Sequence, residues 1–283
     1  MFAPAPAATL HGAITVLAGV MTARIALGPY RALADQPDAL FHPPSFLGFL
    51  DGMPPAGVIA GLQVAGSVAG LLAVAGRRRR VTFAVAWLML LVLAGLRASR
   101  GKIQHNDVLL LLTAVPFLAA TASTRARDDR VGEDYGWPVR AGMVVVAVGY
   151  FWSGVAKVLS SGAAWALSDN MSNVLYDAAR GPKSHAAALA RGIADHGTLA
   201  RSIAAATLLF ELAFPLVLRF VRLRPFAVGG SLLLHGAIFV LLGLDYSAWV
   251  GAVTAVFVDW QRVARRYPSV IARSGQFSTP MRA

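Results

Sequence analysis

The sequence predicts an all-α fold, a polytopic membrane helical bundle, and three observations carry that prediction. Hydrophobic residues make up 57% of the 283 positions and charged residues 14%, with a mean hydropathy of +0.60, too apolar for a soluble domain of this size. The apolar residues gather in runs that approach the ~20 needed to cross ~30 Å of hydrocarbon. The arginines behind the net charge of +12 cluster in short stretches between those runs, a pattern that orients a membrane protein and gives no reason to expect nucleic acid. Cysteine is absent, which removes disulfides, iron–sulfur clusters, thiolate metal sites and thiol redox chemistry.

Eight candidate spans follow in order: 10–30, 56–75, 81–98, 107–123, 139–160, 201–220, 225–243 and 246–261, the last being the shortest. The first 23 residues carry no lysine or arginine, and APAPAA precedes the first apolar run instead of following it. A cleaved signal peptide is therefore not expected. With no internal repeat or linker, residues 1–261 read as one transmembrane domain and 262–283 as a polar cytoplasmic tail.

Loop charge sets the expected orientation. Arg77 to Arg80, then Arg125, Arg127, Arg130 and Arg140, then Arg219, Arg222 and Arg224, then Arg262, Arg265, Arg266, Arg273 and Arg282 all fall on one side. Sixteen basic residues stand there against eight in the opposite loops, so both termini are expected in the cytoplasm. The membrane is then a bacterial cytoplasmic membrane, with the long 31–55 and 161–200 connections facing outward. In the second connection Leu167, Met171, Val174, Leu175 and Ala178 recur at helical spacing beside Asp169, Asn170, Asn173 and Asp177. Residues 164–180 are expected to form an amphipathic helix on the outer interface, a lid over a cavity or a connector resting on lipid, with Trp165 anchoring its start.

Polar groups at membrane depth carry the functional argument, because ionisable groups in hydrocarbon are costly and face a cavity or a partner. Lys157, in YFWSGVAK, is one of three lysines in a chain with 23 arginines. A guanidinium keeps its proton, whereas a desolvated amine can act as a base. Tyr150, Ser153, Gly154 and Lys157 share a helix face, and the small residues there admit another helix or a flat ligand. The alternative is that Lys157 snorkels to the headgroups. Glu211 lies about ten residues into the sixth span, too deep to snorkel. Pro215 removes the helical hydrogen bond to its carbonyl. That place suits a proton, cation or hydroxyl ligand, unless a protonated Glu211 simply joins a neighbouring helix.

His235, with Ser231 one turn earlier, lies at mid-depth in the seventh span, twelve residues from the turn near Leu223, as Glu211 does. The two are expected to face each other, directly or through one water, although a satisfied core histidine is the plainer reading. His105, Asn106 and Asp107 open the fourth span. Asn106 or Asp107 fits a helix N-cap, which leaves His105 pointing to the cavity mouth. Arg219, Arg222 and Arg224 read as interfacial loop charges. Six histidines without a close pair predict no metal site, and no nucleotide-binding glycine loop, HExxH, GxSxG or paired-carboxylate pattern occurs.

YFWSGVAKVLSSGAAW resembles the lysine segment of the vitamin K-dependent gamma-carboxylase-like family, also called the horizontally transferred transmembrane domain (HTTM) family. ELAFPLVLRFVRLRPFAVGGSLLLH is similar to the stretch in which that family carries an acidic residue, an arginine and a histidine, here Glu211, Arg224 and His235. GKIQHND resembles its histidine-bearing start of a transmembrane helix. In the carboxylases of that family the lysine deprotonates a reduced naphthoquinone, which reacts with oxygen to become a stronger base. That base removes a glutamyl proton, and the carbanion captures carbon dioxide in a lyase-type reaction.

The resemblance implies Lys157 as the initiating base, with His105 and His235 positioning quinol or oxygen intermediates. Tyr150, Ser153 and Trp165 would contact the cofactor, menaquinol or vitamin K hydroquinone, and Glu211 and Arg224 would hold the helices. The segment departs from the carboxylases in three extra residues between lysine and tryptophan. It also lacks, after the eighth span, the extramembrane region that recognises peptides in the animal enzymes, so peptide carboxylation is not expected. Two functions remain open. One is an outward-facing enzyme using Lys157 as a base on a quinol or other lipid-soluble acid. The other is a non-catalytic membrane module that binds a membrane lipid or a peptide and assists its maturation or export, with a peptide or a partner protein as its partner.

Overall fold

The computed structural model describes residues 3–100, 105–120 and 130–267. Residues 101–104 of the GKIQHND segment, Arg125, Arg127, Arg273 and Arg282 lie outside the described residues. The helices run α1 Ala7–Leu27, α2 Ala56–Val74, α3 Arg79–Ala98, α4 Val108–Leu118, α5 Glu133–Ser161, α6 Ala164–Leu167 and α7 Asn170–Arg180. They continue as α8 Ala187–Asp195, α9 Gly197–Ala213, α10 Leu216–Arg219, α11 Arg224–Leu242, α12 Ser247–Phe257 and α13 Trp260–Arg266. One antiparallel pair, β1 Ala5–Pro6 with β2 Val131–Gly132, is the sheet structure among the described residues.

The fold is all-α, as expected. Five helical stretches among the described residues are long and apolar enough to cross a membrane: α1, α2, α3, α5 and Val221–Leu242, which contains α11. They carry outward-facing Val64, Leu71, Trp152, Leu159, Leu232 and Leu233, all more than half exposed, a surface compatible with lipid contact and an integral membrane protein. The other three expected spans come out differently. α4 and α12 have eleven residues each, roughly 16 Å at 1.5 Å per residue. The sixth breaks after Ala213 and restarts at Leu216, because Pro215 has no N–H to continue the ladder.

The chain groups into two compact units, Met1–Gly142 with Thr254–Ala283, and Met143–Val253. In the first, α1 packs against α2, α3, α4 and α13 and buries Leu10, Leu17, Met21 and Ile25. Gly66 and Gly70 of α2 make this approach possible. A Cβ on Gly70 would run into Thr22, and one on Gly66 would sit 2.7 Å from Cβ of Met89, so the two residues act as a small-residue seam.

The second unit contains α6 to α11 and the adjoining parts of α5 and α12. Its 164–180 segment is two helices where one was expected. Ser168 is extended (φ −90°, ψ −175°), and its hydroxyl accepts the Asn170 N–H at 3.3 Å, a local bond that competes with helix continuation. The apolar face of α7 is covered by protein. Leu175 and Ala179 pack on Ala190 and Ala194 of α8, with Leu241 and Leu242 at the end of α11.

Candidate functional site

Two polar centres stand inside the second unit. The first is an ion pair. Lys157 Nζ donates to both carboxylate oxygens of Glu211, at 2.8 and 2.7 Å. The lysine side chain is 25% exposed and that of Glu211 9%. Two features of the sequence bring them together. Gly154 lies one turn before Lys157 on the same face of α5. A Cβ there would sit 2.9 Å from Leu212 and 3.2 Å from Cβ of Glu211, so the absent side chain lets α9 close on α5. The helix break beyond Ala213 is the second, and the carbonyl of Glu211 accepts the Phe214 N–H at 3.3 Å. That carbonyl, expected to be open to a ligand, is thus taken up by a local turn.

Trp165 of α6 completes the surroundings of the amine, with Lys157 Nζ 5.2 Å from the ring centroid, inside cation–π range. Lys157 is therefore held from two sides, by a carboxylate and an aromatic face. Ser153, on the same face, donates its hydroxyl to the Gly149 carbonyl of its own helix at 3.0 Å.

The second centre is built on Tyr150, two turns before Lys157 on α5. Its hydroxyl lies 2.7 Å from Ser231 Oγ and 2.8 Å from His235 Nε2, and its side chain is essentially fully buried. Aromatic rings wall it in. Phe214 stacks on Tyr150 with centroids 4.2 Å apart and 8° between planes, and Phe210 and Trp249 meet it edge-on. His235 in turn packs against Tyr246 and Trp249. Both centres draw a side chain from α5, Lys157 and Tyr150 standing two turns apart on one face.

This pairing differs from the expected one. Glu211 bonds to Lys157 and His235 to Tyr150, while no hydrogen bond joins Glu211 to His235 or to Arg224 among the described residues. Counting positions from the hairpin turn carries no information on azimuth. Arg224 opens α11, half-buried, just before Pro225.

His105 belongs to the first unit, exposed in the turn before α4. Asp107 occupies the N-cap position of α4, yet its side chain makes no capping bond. Its carboxylate, 1% exposed, instead accepts from Arg24 Nε at 2.6 Å and from Arg97. Two cations outcompete a backbone N–H for a buried acid. Arg97 lies 5.1 Å over the ring of Tyr30. Burial pushes the Tyr30 phenol up to about 12, with Arg97 pulling it down, Asp107 raising it and Arg24 lowering it. Arg24 and Asp107 stand 83 positions apart, so no local pattern in the sequence shows their partnership. The described residues hold no group of acids and histidines arranged for a metal ion. Comparison with protein-family models, with curated proteins and with solved structures finds no match to this chain.

Proposed function

We propose that the chain is an eight-span membrane protein, with both termini cytoplasmic, that uses the Lys157–Glu211 pair to take a proton from a lipid-soluble acid on the outward side. α4, α12 and the broken α9–α10 pair would complete the eight spans. The observation that carries the reading is the ion pair itself, an amine with a carboxylate at 2.7 Å on one side, an indole on the other, and a quarter of its surface still open. Amine and carboxylate at this distance share two proton arrangements, ammonium with carboxylate or free amine with carboxylic acid. The second supplies an uncharged base without moving a heavy atom.

A phenolic hydroxyl reaching the pair would lose its proton to it, leaving a phenolate beside an ammonium. The aromatic rings of Phe210, Phe214 and Trp249 packed on Tyr150 make the surroundings apolar, and a reduced naphthoquinone such as menaquinol is the substrate class. The resemblance of YFWSGVAK and of the 211–235 stretch to the carboxylase-like family supports the same class. Membrane lipid surrounds the site, and a lipid-soluble small molecule is its partner.

Purified protein in lipid nanodiscs, titrated anaerobically with menadiol, tests this. The red-shifted absorption of the naphtholate should appear at a pH where free menadiol is un-ionised, and Lys157→Arg should abolish it. Equal absorption in Lys157→Arg and wild type would refute the base role. The full pairing of Lys157 also fits a second reading, a structural pair in a module that binds a lipid or peptide without chemistry. Co-purified lipid or peptide, with no naphtholate signal, would decide for that.

A further inference from the structure

Two prolines bracket an exposed basic turn in the second unit. Pro215 immediately precedes the short α10, and Pro225 stands in the first turn of α11. Between them the chain passes through an extended residue, Phe220 (φ −114°, ψ 96°), and a single 3₁₀ turn, Val221–Leu223. Arg219, Phe220, Val221, Arg222 and Leu223 line an open hollow of about 500 Å³, a size that ligand sites commonly have.

Two exposed cations stand at this hollow, Arg219 and Arg222. No Asp or Glu occurs between Glu211 and Asp245. Among the described residues the acids pair with Arg24, Arg97, Lys157 and Arg201, and neither Arg219 nor Arg222 takes part. Arg219 lies over the ring of Phe220 instead, 5.6 Å from its centroid, a contact through the guanidinium face that leaves the in-plane N–H donors for another partner. That fork of donors matches a phosphate. The neighbours are apolar and uncovered: Phe220, Val221 and Phe226 are each half exposed or more. The membrane-length stretch Val221–Leu242 starts at the same place.

We infer that Arg219 and Arg222 form a binding site for the phosphodiester of an anionic glycerophospholipid, whose acyl chains lie against Phe220, Val221 and Phe226. The end of a membrane-length helix puts such arginines at the level of lipid phosphates and the apolar side chains beside them where hydrocarbon begins. A free phosphate would meet the two cations and leave the apolar rim in water, whereas a lipid covers both. A zwitterionic headgroup brings an ammonium that the two guanidinium groups repel, so the lipid carries a net negative charge. The site is separate from the Lys157–Glu211 pair and does not depend on what that pair does.

Native mass spectrometry tests this on the full-length protein in dodecyl maltoside, given equal amounts of phosphatidylglycerol and phosphatidylcholine. Wild type should retain the anionic lipid in preference, and Arg219→Gln with Arg222→Gln should cut that preference about 30-fold, as expected for two arginine contacts at a lipid surface. Arg180→Gln with Arg191→Gln removes the same charge from exposed arginines elsewhere in the unit and should leave the preference within about 2-fold of wild type. Arg219→Lys with Arg222→Lys keeps both charges and should recover part of what the glutamine pair loses. An unchanged preference in the glutamine pair, an equal fall in the control pair, or no recovery in the lysine pair would overturn the inference. Glycerophosphoglycerol, the headgroup without acyl chains, should displace the bound lipid at least about 100-fold less well than intact phosphatidylglycerol does. Equal displacement would mark a bare anion site and overturn the lipid assignment.

Discussion

Lys157 on α5 holds both carboxylate oxygens of Glu211 on α9, 54 residues further along the chain, at 2.8 and 2.7 Å. The contact joins two helices in the interior of the second unit, and each partner neutralises the charge of the other. Removing one side strands the other.

Glu211→Leu and Lys157→Met should each destabilise the protein by about 3–5 kcal/mol, because a single charge is left buried without its counter-ion. The double variant Lys157→Met with Glu211→Leu should lose far less than the sum, since an apolar pair of similar volume replaces the ionic one. Thermal unfolding of the four proteins in one detergent or nanodisc gives the coupling. Additive losses would show that the pair contributes no mutual stabilisation.

Gly154 controls how near those helices come. A methyl group there meets Leu212 and Glu211 at 2.9 and 3.2 Å, so the neighbours must give by a few tenths of an ångström. Gly154→Ala should cost about 1–3 kcal/mol, and Gly154→Leu should separate the pair outright. Crosslinking of cysteines placed at positions 158 and 208 should fall in Gly154→Leu and stay at the parent level in the control Gly192→Leu, an exposed site with open space around it.

The sequence revealed the helical class, five of the eight expected apolar spans and which polar residues lie within apolar segments, because each of these is local. Periodicity and run length located α1, α2, α3 and α11 to within three residues, while α5 begins six residues before the expected 139. Azimuth is not local. Glu211 and His235 stood level by counting from the turn, but nothing in the spacing showed that Glu211 turns to α5 while His235 finds Tyr150. Asp107 shows the same limit. Its position fitted a cap, but its side chain went to two arginines 83 and 10 residues away, a partnership that depends on how α1, α3 and α4 meet. Gly154 was visible as a place where something could approach, and the structure supplies α9.

In the first unit, Asp107 accepts from both Arg24 and Arg97 while itself 1% exposed. Asp107→Asn keeps the shape but leaves two guanidinium groups without a carboxylate, and should cost about 3–5 kcal/mol. Asp107→Glu should recover little, because the longer arm misplaces both oxygens. Thermal unfolding checks both. A loss below about 1 kcal/mol in Asp107→Asn would mark the cluster as a solvent-screened surface pair.

Tyr30 beside that cluster provides a test with a sign fixed by pH. It lies in the turn after α1, its hydroxyl buried without a hydrogen-bond partner, and burial lifts its pKa from 10 to about 12. A group whose folded pKa is raised contributes its stability in full below the unfolded pKa and loses it as pH rises through the folded value. The window is therefore about pH 10 to 12, and a lift of that size corresponds to about 2–3 kcal/mol. Tyr30→Phe has nothing to ionise. Its stability should equal or exceed that of wild type at pH 8, where the only change is the loss of an unmet hydroxyl. The difference in its favour should then widen between pH 10 and 12. Thermal midpoints of the two proteins measured across that range decide it, and parallel curves would mean that Tyr30 ionises in the folded protein as readily as in the unfolded chain.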